Sequence, residues 1–438
     1  MKLNYRRTVL VGLAFLSICA FWQLYDNVVP LVLKYTFGVS DTLAGAIMAM
    51  DNVLALFLLP FFGMLSDKSN TSIGRRMPYI LGGTAAAVIL MNLVPLAANN
   101  RSLPLFMGVL ALLLIAMGTY RSPAVALMPD VTPKPLRSKS NAVINLMGAL
   151  GGVFTLGVTG VLVKKSVGET PADYTLLFLA VAGLMVLCVT VLFFTIREKK
   201  LAEETAQTET QAESITAKDT QAVSTQSSKG WAALAPDMRK SLLLILASVF
   251  LWFMGYNAVT SAFTKYAREM WGAELGTSSQ YLLVATVGAV VSYLPVGFLA
   301  TRFGRKRVIQ GGILLLAACF ASGVAFASIS VSIYVMFALV GVAWAMINVN
   351  SYPMVVEISK SSDVGKFTGY YYTFSMAAQI ATPILSGFLL DHVGYWTLFP
   401  YAAVMVALSF VTISLTKHGD SKPQPPQSKL EAFDVGDE

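Results

Sequence analysis

GMLSDKSNTSIGRR (63–76) joins two apolar runs, and GFLATRFGRKR (297–307) joins two more in the second half of the chain. Each pairs a glycine at the end of an apolar run with a short basic turn. The correspondence extends outward. MPDVTPKPLRSKSNA (128–142) matches VVEISKSSDVGKFTG (355–369), with Asp130 and Glu357 each nine residues before a lysine, and WQLYDNVV (22–29) matches WFMGYNAVT (252–260). Matched segments in the same order read as two parallel repeats that rock about a central site.

The runs between these segments set the class. Of 438 residues, 55% are hydrophobic and only 13% charged, with a mean hydropathy of +0.65. Soluble domains carry about a quarter charged residues, so this composition is that of a membrane protein. A hydrocarbon layer about 30 Å thick needs about 20 apolar residues per helix. Twelve such runs predict helices near 8–33, 42–65, 78–98, 104–128, 141–163, 174–196, 241–264, 278–300, 307–328, 331–356, 367–390 and 396–416. The short joins at 328–331 and 391–395 predict tight hairpins. The expected fold is therefore an all-α membrane protein of twelve transmembrane helices in two six-helix pseudo-repeats.

Lys2, Arg6 and Arg7 would suit a signal peptide, but the run they open lasts about 25 residues without a small-residue cleavage site, which reads as a retained helix. Net charge is +8, and its distribution is informative. Of 32 Lys and Arg, 25 fall on the N-terminus, the even-numbered connections and the C-terminus. Six, Lys34, Arg101, Lys164, Lys165, Lys265 and Arg268, fall on the odd-numbered connections. This positive-inside asymmetry predicts a multi-pass protein of the cell membrane with both termini cytoplasmic. The basic balance thus reports orientation and makes no case for nucleic acid. Cys19, Cys188 and Cys319 sit singly on different runs, with neither disulfide nor metal spacing. The expected organisation is a first six-helix half (1–196), a cytoplasmic linker rich in Glu, Thr, Gln, Ser and Ala (197–240), a second half (241–417) and a disordered cytoplasmic tail (418–438).

The turn at Gly63, Leu65, Ser66, Asp67, Gly74, Arg75 and Arg76 resembles the loop signature of the major facilitator superfamily. MDNVLALFLLPFFGMLSDKSNTSIGRRMP, ALMPD and GYWTLFPYA resemble its sugar:cation symporter branch, which includes the plant sucrose/proton symporters and, more distantly, glycoside permeases. Two features depart from it. Thr301 stands where the first loop has Asp67, and Val125 stands where the plant symporters have an arginine, the nearest here being Arg121, one turn earlier.

Ionisable groups inside a bilayer are costly unless paired or hydrated, so each is a functional candidate. The first half has three, Asp26, Asp51 and Arg121. Counting 1.5 Å per residue from the helix ends puts Asp26 and Asp51 roughly 12 and 15 Å deep and Arg121 about 10 Å deeper. Two acids at one depth, desolvated and mutually repelling, are the setting a proton carrier needs. Asp26, Asp51 and Arg121 are the coupling candidates, with structural pairing as the other reading of Asp51 (to Asn52) and Arg121. In the repeat, Asp26 faces Asn257, so coupling is assigned to the first half. The resemblance implies that helices one, four, seven and ten line the cavity. Sugars need aromatic faces and amide partners, which selects Trp22, Gln23, Tyr25, Asn27, Tyr120, Asn145, Trp252, Tyr256, Asn257, Asn348, Asn350 and Gln379, each aromatic being equally readable as helix packing. Asp67, Arg75, Arg76, Asp130, Arg137 and Glu357 are the expected gating charges, Asp130 alternatively capping backbone.

The resemblance implies a sugar:proton symporter, its substrate a disaccharide or other glycoside, working by alternating access as a monomer without cofactor or metal. Sodium coupling, drug/proton antiport and a non-transporting sugar sensor are the alternatives. An enzyme is disfavoured, because His392 and His418 lie at membrane edges and no nucleophile–base cluster is seen.

Overall fold

The computed structural model describes residues 3–133, 136–163, 173–205, 207, 234–358 and 364–420. Lys164, Lys165, most of the expected linker and the tail from 421 lie outside them. The described residues form twelve long helices: α1 (Tyr5–Leu31), α2 (Asp41–Lys68), α3 (Met77–Asn99), α4 (Leu103–Asp130), α5 (Arg137–Leu162), α6 (Thr175–Thr195), α7 (Pro236–Trp271), α8 (Leu275–Phe303), α9 (Arg305–Gly323), α10 (Val331–Glu357), α11 (Val364–His392) and α12 (Leu398–Ser414). Eleven of the described helices are long and apolar enough to cross a membrane. The twelfth is α9, whose opening Arg305-Lys306-Arg307 leaves a shorter apolar remainder.

Local chemistry sets the ends. The Asn4 side chain accepts from Arg7 N–H at 3.1 Å and Ser40 Oγ from Leu43 N–H at 3.3 Å, so both act as N-caps. Asp173 accepts from the Thr175 hydroxyl and N–H, and these bonds hold its carboxyl below the usual carboxylate range. Gly272, at φ 61°, closes α7 in the left-handed conformation a glycine adopts freely. Beyond α1 the chain makes a π-helical turn at Val32–Thr36. Pro30, just before it, leaves the Asp26 carbonyl without its helical donor.

The same five pairings hold each half together. In the first, α1 packs on α5 and α6, α3 on α4 and α6, and α2 on α4. In the second, α7 packs on α11 and α12, α9 on α10 and α12, and α8 on α10. Each half has its own apolar core, while large side chains such as Phe57, Phe194 and Val331 stay exposed on the outer faces, as lipid contact requires. Between halves, α2 packs on α11 and α5 on α8.

Three boundaries differ from expectation. α7 begins at Pro236, and residues 198–205 are helical, so the linker is shorter at both ends. α9 stops at Gly323, which replaces the tight hairpin at 328–331 by a seven-residue loop, 324–330. The join after α11 is as short as expected, with a 3-10 turn at Tyr395–Thr397.

Candidate functional site

A cavity of about 320 Å³ lies between the halves. Helical spacing builds its walls: Phe15, Cys19, Trp22 and Asp26 recur every three or four residues on α1, and Phe253, Asn257 and Thr260 do so on α7. Gln23 from α1, Met48, Asp51 and Asn52 from α2, Arg121 from α4, Tyr256 from α7, Trp344 from α10, and Gln379 and Pro383 from α11 also line it. The three membrane charges read from the sequence thus share one cavity.

Asp51 Oδ1 accepts from both Asn52 N–H (2.6 Å) and Asn52 Nδ2 (2.8 Å). The Arg121 guanidinium lies 5.5 Å from the Trp22 ring centre, a cation–π placement. Opposite, Tyr256 and Trp344 stack in parallel with centres 3.7 Å apart, and Phe253 meets Trp344 edge-on at 5.2 Å. Trp22 Nε1 and Asn257 Nδ2 are buried donors without a partner among the described residues. The cavity therefore offers aromatic faces, two carboxylates, a guanidinium and unsatisfied donors, a set suited to a compact polyhydroxylated ligand.

Seven expected contacts do not line it. Tyr120 is fully buried, its hydroxyl donating to Ala14 O at 3.0 Å and bonding Ser17. Trp252 and Tyr25 are buried in the cores, and Asn27 Nδ2 donates to Gln23 O. Asn350 donates to Met346 O, Asn348 is buried, and Asn145 is half-buried on α5. The reason is phase: neighbours on a helix point about 100° apart, so Arg121 faces the cavity and Tyr120 faces α1. Phe253, not Trp252, stands four residues before Asn257 as Trp22 stands four before Asp26, which places the inserted residue ahead of that pair. Trp344 was hidden in an apolar run whose only sequence signal was the pair of asparagines following it.

Two ends flank the cavity: the terminal end, which carries the start of α1 and the end of α12, and the distal end. Toward the terminal end the cavity continues, through Arg121, Asn52 and Gln379, into a vestibule of about 470 Å³ between α4 and α11. Toward the distal end only about 20 Å³ remains, between Pro30, Met48, Lys265 and Pro383. There the halves are bound together. Asp41 bonds Lys34 (2.6 Å) and Tyr395 through Oδ2 and Lys265 (2.7 Å) through Oδ1, and Asp391 accepts the N–H groups of Asp41 (2.8 Å) and Thr42 (2.5 Å). None of these six residues was singled out as a gate from the sequence. A Cβ on Gly45 would strike the Pro383 carbonyl, and one on Gly387 the Asp41 carbonyl, so glycine permits this approach of α2 and α11.

At the terminal end the expected gating charges pair within their own halves. Arg75 and Arg76 both bond Asp130 (2.6 and 2.8 Å), Arg76 also bonds Asp67, Arg137 donates to Thr132 O, and in the second half Arg305 bonds Glu357 at 3.0 Å. The repeat is thus kept in the charges as well as in the helices. Glu198, expected in the linker, is buried and accepts the N–H groups of Arg75, Arg76 and Met77, each at 2.8 Å, which caps α3.

Twelve helices in two like halves around a cavity open at one end define a membrane transporter. The chain belongs to the Major Facilitator Superfamily, whose family model matches residues 11–292 and 269–435. Its fold and family are those of transporters, not of enzymes. It is similar to the sucrose transport protein SUC3 of Arabidopsis thaliana, 28% identical over 146 residues that are 28% of this chain and 25% of that one. It is also similar to the ectoine/proline transporter ProP of Corynebacterium glutamicum, 28% identical over 190 residues, 42% of this chain and 36% of that one. The chain thus matches well under half the length of either relative. Solved structures share the fold: a bacterial homologue of the human lysosomal transporter Spinster (TM-score 0.69, 14% identity, 95% of this chain and 97% of that one) and the nucleoside transporter NupG (0.66, 14%, 94% and 99%).

Proposed function

We propose that the protein is a proton-coupled sugar symporter that works by alternating access. The observation that carries this reading is the cavity itself, in which Asp26, Asp51 and Arg121 stand beside Trp22, Gln23, Tyr256, Asn257, Trp344 and Gln379. Aromatic rings take the CH face of a sugar, amides and charges take its hydroxyls, and a carboxylate in the same wall exchanges the proton. The likeness to SUC3 supports a sugar as substrate.

Asp26 is the proton carrier in this scheme. It is held on a helix wall, whereas Asp51 is tied to Asn52. With both termini cytoplasmic, the described conformation is open to the cytoplasm and sealed outside by the Asp41 cluster. Protonation of Asp26 and sugar binding in the outward-open state allow closure, and release into the cytoplasm follows. The Arg75, Arg76, Asp67 and Asp130 network holds the loop that must meet the second half when the terminal end closes.

Uptake of radiolabelled mono- and disaccharides into proteoliposomes, under imposed proton or sodium gradients, tests the scheme. A proton gradient should drive accumulation, and Asp26→Asn should abolish uphill uptake while leaving downhill exchange. Accumulation driven by sodium alone would reject proton coupling, and failure of every sugar to move would reject the substrate class.

A further inference from the structure

Each half ends in a short segment that turns back onto the start of its own third helix. In the first half this is Glu198, three residues past α6, whose carboxylate caps α3. In the second it is Asp420, six residues past α12 and expected in the tail, whose Oδ1 accepts from Lys306 N–H at 2.8 Å. Neither helix has a side-chain cap of its own, since Arg76 stands at the cap of α3 and Gly304 at that of α9. A remote carboxylate supplies the acceptor that the local sequence omits. The segment leading to Asp420 is tied down along its length. Lys306 Nζ donates to Ser414 O (2.9 Å) and Thr416 O (2.7 Å), at and just past the end of α12. Ser241 Oγ, near the start of α7, bonds His418 Nδ1 (2.9 Å) and accepts from Lys417 N–H (3.2 Å). Gly419, at φ 89°, passes so close to α10 that a Cβ there would strike Met354 O. Residues 416–420 thus strap α7, α9, α10 and α12 together at the terminal end.

We propose that Asp420 is a positioning residue for closure of the terminal end. By fixing the turn between α8 and α9 it sets Arg305, the residue before Lys306, on Glu357 of α10. Glu198 does the same in the first half, where it fixes the backbone of Arg75 and Arg76 while their side chains hold Asp130 of α4. The duplicated charges are therefore aimed by duplicated anchors, although REKK (197–200) and KHGD (417–420) share no sequence pattern. The role rests on the alternating-access reading above and is independent of the substrate. A turn that must meet the other half when the terminal end closes costs less to dock if its backbone is already ordered. Without its anchor the turn is ordered only at closure, and the terminally closed population falls.

Terminal closure is read by oxidative cross-linking of Ala126→Cys on α4 to Met376→Cys on α11, on the two sides of the vestibule, in the full chain in proteoliposomes with the three native cysteines replaced by serine. Asp420→Ala should slow cross-linking about fivefold relative to this parent. Asp420→Asn, which keeps an acceptor oxygen for Lys306 N–H, should stay near the parent rate. Ser241→Ala, which frees the strap from α7, should slow it in the same direction and carries the test if Asp420→Ala does not fold. A merely structural role would lower the thermal midpoint of Asp420→Ala and leave its cross-linking at the parent rate. That result overturns the proposal, as does equal slowing in Asp420→Asn and Asp420→Ala, or an unchanged rate in Ser241→Ala. If the parent pair itself never cross-links, the terminal end does not close, and the alternating-access reading falls together with this inference.

Discussion

At the scale of single residues, the charges were readable and many of the neutral contacts were not. Asp26, Asp51 and Arg121 announce themselves because a charge in an apolar run has few tolerable places, and all three face one cavity. Tyr120, Trp252 and Asn348 carry no such constraint. A tyrosine whose hydroxyl meets the Ala14 carbonyl is as comfortable as one facing a ligand, and only helical phase separates the two. Trp344 went unread for the converse reason, an aromatic in a run where packing was the ordinary expectation. Its parallel stack on Tyr256 now makes it the firmest aromatic surface in the cavity. Stacked contacts contribute about 0.5–1.5 kcal/mol beyond area burial. Trp344→Leu should therefore raise KM for the proposed sugar substrate about three- to tenfold, and Trp344→Phe should restore part of the loss. Uptake kinetics in proteoliposomes measure both; an unchanged KM in Trp344→Leu would remove this residue from the site.

At the scale of elements, hydropathy located the helices within a few residues, because the bilayer demands apolar length whatever the packing. Connections were harder, since their structure depends on contacts distant in sequence. Glu198 illustrates this: by composition it belongs to a polar linker, yet its carboxylate collects three N–H groups at the start of α3. Those donors have no intrahelical partner, and a carboxylate also meets the positive end of the helix dipole. Glu198→Ala should destabilise the protein by about 2 kcal/mol and lower its thermal midpoint by several degrees. Glu198→Gln, which keeps an acceptor oxygen, should lose less. Thermal unfolding in detergent checks the order. Equal midpoints for wild type and Glu198→Ala would show that the loop between α2 and α3 holds itself.

At the scale of the whole molecule, the duplication was legible and the conformational state was not. Corresponding turns reveal two repeats, but a transporter's sequence must encode both of its open forms, so no local pattern says which is the more stable. The described form is selected by contacts between halves at the distal end. The Asp41 carboxylate is fully buried and Lys265 nearly so, with Lys34 and Tyr395 completing the shell. Opening that end must expose and separate these groups. Lys265→Met removes one cation from a buried pair and leaves Asp41 with Lys34. A loss of about 2 kcal/mol in the sealed form corresponds to roughly a thirtyfold shift toward the distally open form. Cys19 reports it without further engineering, because it lines the central cavity whereas Cys188 and Cys319 are buried in the cores. With the proposed orientation, both termini cytoplasmic, a membrane-impermeant maleimide added to intact cells should label Cys19 slowly in the wild type and much faster in Lys265→Met, with substrate slowing both. Equal labelling rates in the two proteins would mean that the seal is made by the close approach of α2 and α11 at Gly45 and Gly387 alone.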